Sequence, residues 1–134
     1  MRKLFVASAL AACALATQAL AALPPQVYAD ARESAADVIV LEVSNVETTG
    51  PLSCAVTGHV LRIERGTRYS AHEEVRISLP CYGHSDAQPH PGPAIYQGTR
   101  QLRESRYARA YLNGGALALY QYQILASPDQ PPRD

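Results

Sequence analysis

The stretch "RYARAYLNGGALALYQYQIL", residues 106–125, decides the fold. Running into it, Arg100, Arg103, Arg106 and Arg109 recur at every third position, as along one side of a helix. Within it Tyr107, Arg109 and Tyr111 alternate with Ala108, Ala110 and Leu112, as along a strand. The "NGG" at 113–115 breaks the tie. Asn-Gly tolerates the positive φ that tight hairpin turns require, and a hairpin needs a strand on each side. Residues 116–126, "ALALYQYQILA", alternate again, with Tyr120 and Tyr122 set against Gln121 and Gln123. The spacing therefore predicts paired strands over 105–112 and 116–126.

Three more strands are expected upstream. "DVIVLEVSNVE" (37–47) opens with a β-branched run and then alternates, and "CAVTGHVLRIERG" (54–66) is a long strand interrupted at Gly58. A glycine inside a strand marks a bulge or a bend. "EVRISLPC" (74–81) alternates Val75, Ile77 and Leu79 with Arg76 and Ser78, a half-buried pattern. Before them, "PPQVYADARESAA" (24–36) starts on prolines and continues with helix formers, predicting one short helix. The irregular, proline-rich segment 82–99 reads as a surface excursion, and the tail 127–134 as disordered. The fold class is thus all-β with one short N-terminal helix: a small five-stranded barrel over 23–126.

The first 22 residues read as a secretory signal peptide. Arg2 and Lys3 precede a short apolar run, and Ala19-Leu20-Ala21 supplies a small-residue cleavage site. The run is shorter than the ~20 residues a membrane span needs, so no transmembrane segment is expected after processing. Leu10-Ala11-Ala12-Cys13 also matches a bacterial lipobox, which would make the product a lipoprotein anchored through Cys13. The expected location is the periplasm or the outside of the cell. Without Arg2 and Lys3, ten basic residues face twelve acidic ones, a net charge of −2. That balance gives no general attraction to nucleic acid or to an anionic membrane.

Cys54 and Cys81 remain as an even pair in an exported chain, which points to a disulfide. The closed loop of about 27 residues would stabilise the fold by about 3.5 kcal/mol through chain entropy. The competing reading gathers Cys54, Cys81, His84 and His90 into a tetrahedral metal site. Against it, "CYGHSDAQPHPGP" (81–93) holds its histidines between prolines and glycines, and oxidised cysteines offer no thiolate. The expectation is a mobile loop with His84 and His90 solvated, and no cofactor.

The residues quoted as strands, "ADVIVLEVSNVE", "GHVLRIERG", "EVRISLPC" and "ARAYLNGGALALY", together resemble the OB-fold of the netrin-like kind, also used by the tissue inhibitors of metalloproteinases. The resemblance spans roughly residues 30–125 and implies a small closed or half-closed barrel. In those inhibitors an amino-terminal cysteine reaches the protease zinc. The mature start expected here, near Ala22, has none, so inhibition does not carry over.

No nucleophile elbow, phosphate loop or HExxH motif is present. Glu73 and Glu74 are adjacent and face opposite ways on a strand. His59 shares a strand face with Leu61 and Ile63, His72 has no useful partner, and Ser53, His59 and Asp86 form a triad only on paper. The stronger signal is aromatic. Eight tyrosines accompany one phenylalanine and no tryptophan. Tyr96, Tyr107, Tyr111, Tyr120 and Tyr122 crowd the C-terminal half beside Arg100, Arg103, Arg106 and Arg109, and tyrosine with arginine is the composition of an interface. The functional expectation is an exported, non-catalytic domain that binds a protein, peptide or glycan.

Overall fold

The computed structural model describes residues 22–133. The signal peptide and the lipobox at Cys13 lie almost wholly outside the described residues. Helix α1 (Pro25–Ser34) is followed by β1 (Asp37–Gly50), β2 (Ser53–Arg65), β3 (Glu74–Tyr82), β4 (Gln97–Gly98), α2 (Thr99–Glu104), β5 (Tyr107–Asn113) and β6 (Ala116–Leu125). Among these described residues no helix is long and apolar enough to cross a membrane.

The chain is mostly β, and the sheet has six strands rather than five. Their order is β4-β3-β2-β1-β5-β6. The extra strand is two residues long, and it lies in the segment expected to be irregular: Cys81 and Tyr82 pair in parallel with Gln97 and Gly98. All other neighbours are antiparallel. Strands β3 and β6 also pack against each other, so the sheet curls into a half-barrel.

Two interiors result. Inside the curl, Ile39, Leu41, Val56, Val60, Ile77, Leu79, Leu112 and Tyr122 form the main core, joined by Cys54 and Cys81. On the outer side Ala35, Val38, Tyr111 and Ala118 form a second cluster beside α1. Strand β5 serves both. Ala108, Ala110 and Leu112 belong to the main core, while Tyr111 belongs to the outer cluster. Small residues inside and large ones outside suit a strand on the concave side of a tight curl.

The helix forms for local reasons. Pro25 stands at its first position, where a missing N–H costs nothing. Arg65 Nη1 donates to the carbonyls of Arg32 and Ala35, each at 2.9 Å, satisfying acceptors at its last turn. The three-residue recurrence of arginines is likewise partly realised, as α2, before the chain turns extended at Ser105.

The hairpin between β5 and β6 is closed by Gly114 and Gly115, at φ 60° and 89°, with Asn113 paired to Ala116. Two consecutive positive φ values are what a type I′ turn requires. Gly58 serves a different need. A Cβ there would sit 2.5 Å from the Glu42 carbonyl oxygen and 2.7 Å from Leu41 Cδ1, so β1 approaches as closely as a bare backbone permits. The register slips next to it, between Val43 and Asn45.

The chain after β6 makes specific contacts. Arg62 Nη2 donates to the Pro128 carbonyl at 2.8 Å and Arg109 Nη2 to the Gln130 carbonyl at 2.7 Å. Residues 127–130 thus turn back over the outer face of β2 and β5. Their composition is polar, and it is backbone carbonyls, present in any sequence, that make these bonds.

Candidate functional site: a tyrosine-lined cleft and a histidine-capped disulfide

The tyrosine and arginine residues do not form one surface. Tyr122 lies in the main core, 7% exposed, and burial raises its pKa above the ordinary tyrosine value. Its hydroxyl finds no hydrogen-bond partner among the described residues. Tyr111 is buried in the outer cluster. Arg109 is wholly buried. Its guanidinium forks onto Glu64, and also reaches Gln123 Oε1 at 3.1 Å and the Gln130 carbonyl. It is therefore a structural ion, not the exposed anchor that the sequence reading made of it. Burial on its own raises the Glu64 pKa. The bonds and charges of Arg109 and then Arg62 outweigh it and hold the carboxyl below its ordinary value.

The other three of these four arginines stay exposed. Arg100 pairs with Glu104 at 2.9 Å one turn along α2, and Arg106 lies 3.9 Å from Glu42 with its guanidinium 5.2 Å from the Tyr107 ring centre. Arg103 is exposed beside a shallow groove it shares with Val43 and Asn45. Such exposed pairs contribute little to stability.

Tyr120 belongs elsewhere. It lines a cleft of about 340 Å³ between α1, the segment before β4 and strand β6, together with Tyr28, Arg32, Ile95, Gln97 and Gln121. Each wall is fixed by named bonds. Tyr28 Oη donates to the Pro93 carbonyl at 2.7 Å, tying α1 to the long loop. Arg32 Nη1 donates to Gln121 Oε1 at 2.6 Å, tying α1 to β6. Gln97 Nε2 donates to the Tyr122 carbonyl at 3.0 Å, closing the floor. Arg32 also borders a neighbouring cavity of about 420 Å³ on the other flank of α1, which Glu33, Glu64, Arg65 and Tyr111 help to line.

The cleft wall carries the backbone irregularity of β6. Leu119 and Tyr120 have φ of 45° and 61°, in the left-handed region. Neither is glycine, so each conformation costs about 1–2 kcal/mol. Between the pairs Ala110–Tyr122 and Leu112–Leu117, β5 advances two residues while β6 advances five. An odd excess reverses which side chains face inward. Leu117 and Tyr122 both meet the main core, although a regular strand would set them on opposite faces. The alternation read from "ALALYQYQILA" is thus broken at its middle, and Gln121 and Gln123 are both buried on the outer side with arginine partners.

The second chemical feature is a disulfide. Cys54 on β2 and Cys81 on β3 are joined, with Cα atoms 5.8 Å apart and no exposure at either residue. His84 covers it. Its Nε2 lies 2.8 Å from the Gly50 carbonyl oxygen, its Nδ1 lies 2.8 Å from Thr99 Oγ1, and Cys81 Sγ stands 3.9 Å from Nδ1. Thr99 Oγ1 is in turn 3.7 Å from Cys54 Sγ. The expectation of a solvated His84 is therefore corrected: the ring is half-buried, because its two nitrogens reach the β1–β2 turn and the first residue of α2. The loop that carries it is pinned further by Ser85 Oγ, which donates to the Pro51 carbonyl at 2.8 Å. His90 matches the solvated expectation: it is exposed and stands apart from the Cys54, Cys81 and His84 group. Its backbone N–H faces Tyr96 Oη at 3.4 Å, and Tyr96 is half-buried at the loop's end.

The paper triad is not assembled by hydrogen bonds. Ser53 Oγ accepts from Thr49 Oγ1 at 2.9 Å, and His59 Nε2 faces Glu74 at 3.7 Å in an exposed pair. Asp86 stands in the loop with an exposed side chain. Sequence reasoning missed Thr99, Tyr28, Arg32 and the Gly50 carbonyl. Thr99 and Gly50 belong to no motif. Arg32 and Tyr28 were visible only as members of a short helix.

No family model matches the chain, and neither does any curated protein or solved structure.

Proposed function

We propose that the protein is an exported binding module that takes up an extended peptide or glycan in the cleft between α1 and β6 and catalyses nothing. The observation that carries this reading is the left-handed backbone at Leu119 and Tyr120, the second of which lines the cleft. Backbone strain of this kind persists only where surrounding structure holds it, and it concentrates at ligand sites. Here it falls where Tyr120 lines the cleft together with Tyr28, Arg32, Gln97 and Gln121. Two rings with a few fixed polar groups suit a chain that stacks and accepts hydrogen bonds, such as a sugar or a peptide backbone.

Two further elements of the proposal have independent support. Export to an oxidising compartment is supported by the Cys54–Cys81 disulfide together with the signal-like residues 1–22. The OB-like, netrin-like fold is supported by five long strands ordered β3-β2-β1-β5-β6, the packing of β3 on β6, and a helix between β3 and β5.

The test is an NMR titration of the 15N-labelled mature domain with short mixed-sequence peptides and linear oligosaccharides. The proposal predicts saturable shifts at Tyr28, Arg32, Tyr120 and Gln121. Saturable shifts that map instead to Arg100, Arg103 and Arg106 would move the site to α2.

A further inference from the structure

We infer that Cys54, Cys81 and His84 form a redox-gated zinc site: closed to metal while the disulfide is intact, and open to one Zn2+ once it is reduced. The inference is independent of the cleft and rests on how His84 is held.

A carbonyl oxygen only accepts. His84 Nε2, 2.8 Å from the Gly50 carbonyl, therefore carries the ring proton. In the neutral ring Nδ1 is then a bare lone pair, and it accepts from the Thr99 hydroxyl at 2.8 Å. Cys81 Sγ lies 3.9 Å from the same nitrogen, so a metal taking that lone pair in place of the Thr99 proton would sit beside the sulfur. A histidine that ligates a metal through one nitrogen is characteristically fixed by donating the other N–H to a carbonyl or carboxylate. His84 has this arrangement already, with a backbone acceptor.

The three ligand atoms lie within 4.8 Å of one another. In a tetrahedral zinc site, bonds of about 2.3 Å to sulfur and about 2.0 Å to nitrogen place the ligands about 3.5–3.8 Å apart. The sulfurs must part from bonding distance to that spacing, which is a side-chain movement. The nitrogen needs little. The set is two thiolates and one imidazole, suited to Zn2+, and Thr99 Oγ1 or a water completes the shell. Four segments hold these groups: the β1–β2 turn, β2, the end of β3, and the first residue of α2. The β3–β4 pairing fixes the last of these next to the disulfide.

A dithiol reductant transfers two electrons and two protons to the Cys54–Cys81 bond, giving two thiols and the oxidised, cyclic disulfide of the reductant. Zn2+ then replaces the two thiol protons, which pass to solvent. Exchange with an oxidised, cyclic dithiol reverses this: its disulfide takes the two electrons and, with two protons from solvent, becomes a dithiol, while the Cys54–Cys81 bond re-forms and the ion is released.

Co2+ serves as the spectroscopic probe, added anaerobically to the mature protein after phosphine reduction and removal of the phosphine. The expected result is one Co2+ per chain, with sulfur-to-cobalt charge-transfer absorption and tetrahedral d–d bands, both displaced by Zn2+. The oxidised protein and a Cys54→Ser, Cys81→Ser double variant should show neither. His84→Ala, which leaves the disulfide able to form, should weaken Co2+ binding at least about tenfold. His90→Ala should leave it unchanged. Failure of the reduced chain to bind Co2+, whether it stays folded by circular dichroism or not, would overturn the inference. So would equal binding by His84→Ala, or by the oxidised protein.

Discussion

Arg109 of β5 reaches across β1 to grip Glu64 of β2, with its Nη2 3.3 Å from Glu64 Oε2. The arginine side chain is 1% exposed and the glutamate side chain 24%. One end of the pair is dry and the other wet, so the cost of breaking it falls on the arginine. Glu64→Gln should destabilise the fold by about 2 kcal/mol, the scale of a lost hydrogen bond to a charged group. Adding Arg109→Met should recover much of that loss, since no buried charge is then left uncompensated. Urea unfolding of the two variants measures this directly; equal losses would show that the pairing is immaterial.

The same pair sets an acid response. Glu64 has its folded pKa below the ordinary 4.5. A depressed carboxylate stabilises the fold above its unfolded pKa, and that contribution is lost as pH falls through the folded value. The stability gap between the parent protein and Glu64→Gln should therefore be full near pH 7 and shrink below about pH 4.5. A gap that widened on acidification would contradict the pairing.

Gly58 is predicted to be intolerant of any side chain. The atom its Cβ would meet at 2.5 Å is the backbone oxygen of Glu42, in the neighbouring strand. Gly58→Ala should cost about 3 kcal/mol, at the upper end for overpacking, because a strand must shift. Thermal unfolding would register it.

Two tyrosines of β6 should tolerate substitutions that ordinary packed residues would not. Tyr122→Phe removes a buried hydroxyl that has no partner among the described residues, so stability should stay level or rise by about 1 kcal/mol. Tyr120→Gly loses half-buried aromatic contacts, yet it relieves left-handed strain at φ 61°. The net change should lie within about 1 kcal/mol. Tyr107→Gly, half-buried but in regular strand, should cost about 2 kcal/mol. Equal costs at Tyr120 and Tyr107 would mean that the strain at Tyr120 is not relieved by glycine.

The sequence made β3, the β5–β6 hairpin, α1 and the disulfide legible, because each has a local cause. Val75, Ile77 and Leu79 alternate, Gly114 and Gly115 permit the turn, and Pro25 starts the helix. The sixth strand was hidden because two residues carry no periodicity. The fate of Arg109 was hidden because its partners come from β2, β6 and the tail, and composition says nothing about which face a tail will cover. The cleft was hidden for the same reason: the odd excess of residues at Leu119 and Tyr120 has no glycine or proline to announce it. His84 was misread because the Gly50 carbonyl that orients it is a backbone group, common to every sequence.

The proposed binding site is the cleft beside Tyr120. Its most direct test is isothermal titration of the best peptide or oligosaccharide from the NMR panel into the parent protein, Tyr120→Gly and Arg106→Ala, each first shown to be folded. Tyr120→Gly is expected to weaken binding by tenfold or more, about 1.4 kcal/mol or greater, while keeping its stability, and Arg106→Ala to bind as the parent does. Unchanged affinity in Tyr120→Gly, with loss in Arg106→Ala, would contradict it.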